Sequence, residues 1–187
     1  CNDNLETLLE RCKGEDMRQI ILEKSPESSS KGEIITYGLS IISFAQRYPE
    51  LLLHNISACI KFGFACIEAD DHTVQETGFE LFQTLFERQN EAYFGIQDHL
   101  FEITVKSFAN DHQPLLSKIL KCLYVYIDQI TIKKEHFDNL FQVLFQVLKE
   151  YEQPEIQNLV IDCFTVLVKS IADEISPYAP ELFPLVI

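Results

Sequence analysis

The chain has 187 residues, with 15 Lys and Arg against 29 Asp and Glu, a formal net charge of −14, 47% hydrophobic residues and 24% charged ones. This is the balance of a globular protein and not a disordered one, and the length suits one compact unit or a short array. The charge argues against DNA or RNA as the main ligand and against an anionic membrane surface, and it favours basic partners, while the few Gly and Pro residues argue against an all-β sandwich.

The predicted elements are helical from end to end. Leu5, Leu8, Leu9 and Cys12 share one face at i, i+3, i+4, i+7 spacing, and Ile20, Ile21 and Lys24 continue after a break at Gly14. Residues 1–24 thus read as a partial N-terminal helical hairpin. Ser25-Pro26-Glu27-Ser28-Ser29-Ser30-Lys31-Gly32 reads as a flexible loop, in which Ser25-Pro26 is either a phosphorylation site or part of a solvated linker. Beyond it the periodicity predicts helices over 33–47, 49–67, 72–89, 92–109, 113–129, 134–150 and 154–173, with a last one starting near 177. Such short links force antiparallel neighbours. Asp71, Asp111 and Gln153 precede helices, where Asp caps first-turn amides, and Pro114 and Pro154 fall in first turns, where the missing N–H costs nothing. No segment alternates as a strand does. The first residue is Cys and the last segment stops inside an apolar pattern, so both ends read as cuts in a longer protein.

The chain repeats itself. His112-Gln113-Pro114 recurs as Glu152-Gln153-Pro154, and Asp71-His72 as Asp111-His112. The stretch Gly78 to Leu85 aligns with Ile119 to Tyr126 and again with Val160 to Leu167, which puts Cys122 and Cys163 in one slot. Ile96, Leu100 and Ile103 map onto Phe137, Phe141 and Leu144, then onto Tyr178, Leu182 and Leu185. A two-helix unit of about 40 residues is the period of HEAT and armadillo repeats, and tetratricopeptide and ankyrin units are shorter. The links leave little room for the third armadillo helix, so the pattern predicts an all-α HEAT-repeat solenoid, with hairpins at 33–67, 72–109, 113–150 and 154–187. One hairpin cannot bury its apolar face alone, so neighbours must stack. The competing reading is a plain antiparallel helix bundle.

Catalytic and metal-binding patterns are missing from the sequence. The cysteines Cys1, Cys12, Cys59, Cys66, Cys122 and Cys163 form no C-x-x-C pair and lie in apolar helical stretches, as buried thiols of a reducing compartment do. The Asn55-Ile56-Ser57 sequon falls inside a helical run and reads as accidental. No Walker loop, dinucleotide fingerprint, H-E-x-x-H or G-x-S-x-G motif occurs. Histidines 54, 72, 99, 112 and 136 are each isolated in sequence, and read as surface or capping residues before metal ligands. Glu68, Asp70, Asp71 and Glu76 form a carboxylate cluster that reads as an acidic helix junction before an acid–base pair. No signal peptide or membrane span is found. We therefore expect no enzyme, no cofactor and no metal. Most of the Phe and Tyr residues read as core, with Tyr93 and Tyr126 as candidates to line a groove between repeats.

Glu76-Thr77-Gly78-Phe79-Glu80-Leu81-Phe82-Gln83-Thr84-Leu85-Phe86-Glu87, followed by Tyr93-Phe94 and Ile96-Gln97-Asp98-His99-Leu100, resembles the karyopherin-β (importin-β) family, in which an "A-L-E-x-L-x-E-L" helix leads to an "H-L-x-x-L" helix. The stretch from Asp162-Cys163-Phe164 to Pro177-Tyr178-Ala179-Pro180-Glu181-Leu182-Phe183-Pro184-Leu185 is similar to that family's "C-F-x-x-L" hairpin ending in "P-Y-L-P-x-L-L-P-L". It departs from the pattern at Ala172 or Asp173, where the family often has Gly, and at Ala179, where it has Leu. The likeness covers about 73–187 and is weak before Gly32. It implies an armadillo-like helical importin, or nuclear transport receptor, that shuttles between cytoplasm and nucleus. Protein cargo and Ran-GTP would lie on its concave side, and nucleoporin Phe-Gly repeats between its outer helices. Cytosolic HEAT scaffolds of phosphatase or ubiquitin-ligase assemblies share much of the pattern and remain the alternative, with an enzyme accessory α-domain third.

The second helix of each hairpin is expected to face partners. Helix 92–109 should bury Ile96, Leu100, Ile103 and Ser107 and present Asp98 and Glu102. Helix 134–150 should bury Phe137, Phe141, Leu144 and Leu148 and turn Asn139, Gln142 and Gln146 outward. Residues 151–187 add Glu152, Glu155, Asp162, Asp173, Glu174 and Glu181 against Lys169. These residues form a candidate acidic strip for a basic segment of a protein cargo, or simply a solvated polar face.

Overall fold

The computed structural model describes residues 30–47, 49, 56–88, 95–108, 112–129, 132–133 and 136–170. The expected hairpin at 1–24, most of the loop before Gly32, the cap at Asp111, Tyr93 and the helix near 177 lie outside the described residues. Among the described residues there are seven helices and no strand: α1 Lys31–Arg47, α2 Ile56–Ile67, α3 His72–Arg88, α4 Gln97–Ser107, α5 Gln113–Gln129, α6 Phe137–Glu150 and α7 Pro154–Ser170. The chain is all-α.

Local chemistry sets the helix ends. Ser30 precedes α1, and the Glu33 carboxylate accepts from both its backbone N–H (2.9 Å) and its hydroxyl (2.8 Å). This is the reaching-back half of a capping box. It draws Lys31 and Gly32 into the helix, so the loop expected through Gly32 ends at Ser30. Asp71 caps α3 through Oδ1, which accepts from the N–H groups of Thr73 (3.0 Å) and Val74 (3.2 Å). Pro154 occupies the first position of α7.

Two further starts differ from expectation. Gly95 and Ile96 form a turn, and Ile96 sits at φ −118°, ψ 0° with no side-chain cap, so α4 begins at Gln97 and not at 92. Before α6, the His136 N–H bonds to the Lys133 carbonyl (2.9 Å) in a tight turn, which delays the helix from 134 to Phe137.

The packing is serial. α1 packs on α3, α3 on α5 and α5 on α7, while α2 packs on α3, α4 touches α5 and α6, and α6 packs on α7. Burial follows this order. α3 and α5 each bury nine residues, whereas α1 and α7 each bury six, because the inner pair is covered from both sides. Phe79, Phe82, Phe86, Leu115, Leu120, Val160 and Leu167 are in the core, and full burial of each such side chain contributes about 1.5–3 kcal/mol. Cys122, Cys163, Leu123, Phe141 and Phe164 are buried as the repeat alignment expects.

Glycine permits the closest approaches. A Cβ at Gly78 would stand 2.9 Å from the Ile67 backbone nitrogen and 2.8 Å from its Cγ1, and a Cβ at Gly38 would collide with the Thr77 methyl.

Candidate functional site

α4 and α6 carry the five residues expected to meet a partner. Leu100, Phe101 and Thr104 bury one side of α4. Asp98 and Glu102 are exposed. The buried set differs from the expected one: Ile96, Ile103 and Ser107 are only half-buried, and Phe101 and Thr104 take the inner positions. The physical reason is the short helix, whose start at Gln97 leaves Ile96 in the preceding turn, while Ser107 satisfies its hydroxyl on the Ile103 carbonyl (2.9 Å). On α6, Phe137, Phe141 and Leu144 are buried together with Leu140, Phe145 and Val147, and Leu148 is half-buried. Asn139, Gln142 and Gln146 are exposed, and Gln146 Nε2 donates to the Glu150 carboxylate (3.0 Å).

The charges on this surface are mixed. Exposed Lys106, Lys133 and Lys149 lie among Asp98, Glu102, Asp138 and Glu150. The Asp98 carboxylate is also engaged within the chain: Lys133 Nζ donates at 2.6 Å and His136 Nε2 lies at 3.2 Å. These bonds, the lysine's first, hold the Asp98 carboxyl below the usual carboxylate range. Of the carboxylates expected beyond 150, Glu152, Glu155 and Asp162 are exposed, as is Lys169, while Asp173, Glu174 and Glu181 lie outside the described residues.

The structure pairs histidines that look solitary in sequence. His99 lies against the Phe64 ring (centroids 4.7 Å) with Glu68 at 3.8 Å. His136 lies against Phe101 (4.1 Å) beside Asp98. His72 and His112 stack at 4.6 Å with ring planes 16° apart, and Glu76 stands 3.6 Å from His112. Only the last pair had a signal in the sequence, the Asp-His dipeptide recurring one repeat on. The carboxylate cluster is correspondingly divided: Glu68 serves His99, Glu76 serves His112, and Asp71 caps α3 and takes Lys31 at 2.8 Å.

Tyr126 does not line a groove. It is buried edge-on to Phe86, at 5.7 Å, because its slot faces the core. Burial, then the charge of Asp98, push its hydroxyl up to about 12. Cys59, Cys66, Cys122 and Cys163 are free and buried. Burial pushes the first two up to about 12 and raises the other two as well. Among the described residues no group of three or more His, Cys, Asp or Glu side chains could hold a metal ion, and no helix is long and apolar enough to cross a membrane. Among the described residues Leu39, Tyr124 and Ile161 are large hydrophobic side chains left exposed, each on a different helix.

No protein-family model matches the chain, and no curated protein matches it.

Proposed function

We propose that the chain is a stretch of a HEAT-repeat solenoid that works by binding proteins, as part of a karyopherin-β-like nuclear transport receptor. The observation that carries the solenoid half of this reading is the spacing of ties between successive first helices. Lys31 bonds Asp71 at a separation of 40 residues, Lys118 bonds Glu80 (2.6 Å) at 38, and the Cys163 thiol meets the Leu120 carbonyl (3.5 Å) at 43. Each tie joins one unit to the next, as stacked hairpins require and as nearest-neighbour arrays do throughout. The transport half rests on the sequence likeness of 76–100 and 162–185 to karyopherins and on the acidic balance of the chain. In this reading the outward sides of α4 and α6, with Glu102, Asn139, Gln142 and Gln146, meet a basic segment of protein cargo, and Ran-GTP and nucleoporin Phe-Gly repeats are the other partners. The receptor works in cytoplasm and nucleus.

The test is a pull-down of the full-length protein with Ran loaded with GTP or GDP, and with Phe-Gly peptides. The transport reading expects capture by the GTP form and not the GDP form. A full-length protein that ignores Ran and Phe-Gly peptides would be a HEAT scaffold of another assembly.

A further inference from the structure

We propose that the side of α7 turned away from α5 is a docking face with Ile161 at its centre, and that its occupant is one further amphipathic helix of the same array, supplied by the full-length protein. Steps of 41 residues put Gly38, Phe79, Leu120 and Ile161 in one slot of α1, α3, α5 and α7. The same steps put Ala45, Phe86, Ile127 and Val168 in a second slot, seven residues on and on the same side of each helix. In the first three helices this side looks at the next first helix. A Cβ at Gly38 would collide with the Thr77 methyl of α3. Phe86 meets the Tyr126 ring of α5 edge-on at 5.7 Å, and the Leu120 carbonyl accepts from the Cys163 thiol of α7 at 3.5 Å. Ala45, Phe79, Phe86, Leu120 and Ile127 are each at most 1% exposed. On α7 the same slots are open: Ile161 is 50% exposed and Val168 is only half-buried. A single exposed isoleucine is ordinary on a protein surface. This one stands apart because its slot is sealed in all three preceding helices.

The other end of the row differs in chemistry. Thr77 looks back at α1, and its equivalent on α1 is Thr36, which is exposed with its hydroxyl satisfied on the Gly32 carbonyl (2.8 Å). Glu33 and Ser43, on the same side of α1, are also exposed. A repeat array stays soluble where its outer face is polar. α1 presents such a face, and α7 presents isoleucine and valine. A second copy stacked end to end would set the polar side of α1 against Ile161, which is a poor match. A helix built like its predecessors fits better, with small or branched uncharged residues inward, as Thr77 and Thr84, Cys122 and Val125, and Cys163 and Val166 are buried on α3, α5 and α7. Its rim should carry a lysine or arginine. Asp162 is exposed in the slot of Glu80, whose carboxylate binds Lys118 of the next first helix at 2.6 Å.

The test compares two single variants of the full-length protein, Ile161→Cys and Glu155→Cys. Glu155 is the control, because its equivalents Thr73 and Pro114 stay exposed on the helices that are covered. Alkylation of each thiol, read by mass on its own peptide and divided by its rate in urea, should be about tenfold slower at Ile161→Cys than at Glu155→Cys. Equal rates overturn the proposal. Protection that fades on dilution from about 100 µM to about 1 µM would give the face to a second copy and overturn it as well. In the unmutated full-length protein, hydroxyl-radical oxidation of Ile161, corrected for intrinsic reactivity, should fall about tenfold below that of Leu39, which is 46% exposed. Equal oxidation of the two would contradict the proposal independently of how the variants fold. Such a helix presupposes the stacked hairpins proposed above, yet equal rates would leave the order of α1, α3, α5 and α7 standing, because that order is read from the distance between α1 and α7.

Discussion

The seam around α3 and the seam around α7 differ at one position of the sequence alignment. Gly78, Ile119 and Val160 occupy equivalent positions on α3, α5 and α7. At Gly78 the missing side chain lets Ile67 bring its backbone nitrogen to 2.9 Å of where a Cβ would stand. Gly63 likewise admits the Phe82 ring, and Gly38 the Thr77 methyl. At the other end Ile119 and Val160 are themselves fully buried, and Phe141, Phe145 and Phe164 fill the space between helices, with centroids 5.0–6.2 Å apart. The first seam closes over its glycines while still packing Phe79, Phe82 and Phe86, and the second fills the aligned slot with Ile119 and Val160. The residue in the aligned slot goes with how close the neighbouring helix stands, glycine where its backbone comes near and a larger side chain where it does not.

This difference predicts mutations of opposite character. The largest effect should come from the filled seam: Phe141→Ala should cost about 3–5 kcal/mol and Leu123→Ala about 2–5 kcal/mol in urea unfolding. A loss under about 1 kcal/mol at Leu123 would mean the helix turns another face to the core. At the closed seam the enlarging change should do the damage. Gly78→Ala gains helix propensity yet should cost about 1–3 kcal/mol, because the atom it meets is backbone and cannot rotate away. Gly32→Ala is the control within α1. Nothing lies within 4 Å of its Cβ position, so the same substitution should stabilise by about 0.4–1 kcal/mol.

Thiol labelling sharpens the comparison without mutation. Cys59 and Cys66 at the closed seam, and Cys122 and Cys163 at the filled one, are all buried, with their thiols pushed up by desolvation. All four should react far more slowly in the native state than in urea. Fast native labelling of Cys122 or Cys163 would break the slot alignment.

The smallest effect concerns the outward surface. Asp98 is shared with Lys133 and His136, so Glu102→Gln should weaken binding to a basic peptide, and flatten its salt dependence, more than Asp98→Asn does. Equal effects would show that the intramolecular bonds leave Asp98 available.

Several features of this fold were readable from sequence because they are local or periodic. The 41-residue shift placed Cys122 and Cys163 in one slot, and the Asp71 cap and Pro154 start follow from single residues at fixed offsets. Ser30 and Glu33 carried a readable capping-box spacing, and the serine-rich composition around them hid it. The start of α4 was not legible, since apolar periodicity runs on through Gly95 and Ile96 while the backbone turns. Nor were the histidine contacts of His99 and His136, whose partners are 31 to 38 residues away, on other helices or just past the end of one. Glycine spacing says nothing of which backbone will come close. At the candidate site the exposed set Asp98, Glu102, Asn139, Gln142 and Gln146 could be read from helix phase, but the engagement of Asp98 could not, because Lys133 comes from a turn that periodicity had nearly absorbed into a helix.

The serial order of helices can be measured directly by spin labels on the exposed positions Ser43 of α1 and Thr165 of α7, after replacing Cys1 and Cys12 with serine. Three packing steps of 8–10 Å separate these helices if α1, α3, α5 and α7 stand in a row, so the interspin distance should be about 25–30 Å. A distance under about 15 Å would bring α7 back against α1, close the array into a bundle and contradict the repeat architecture.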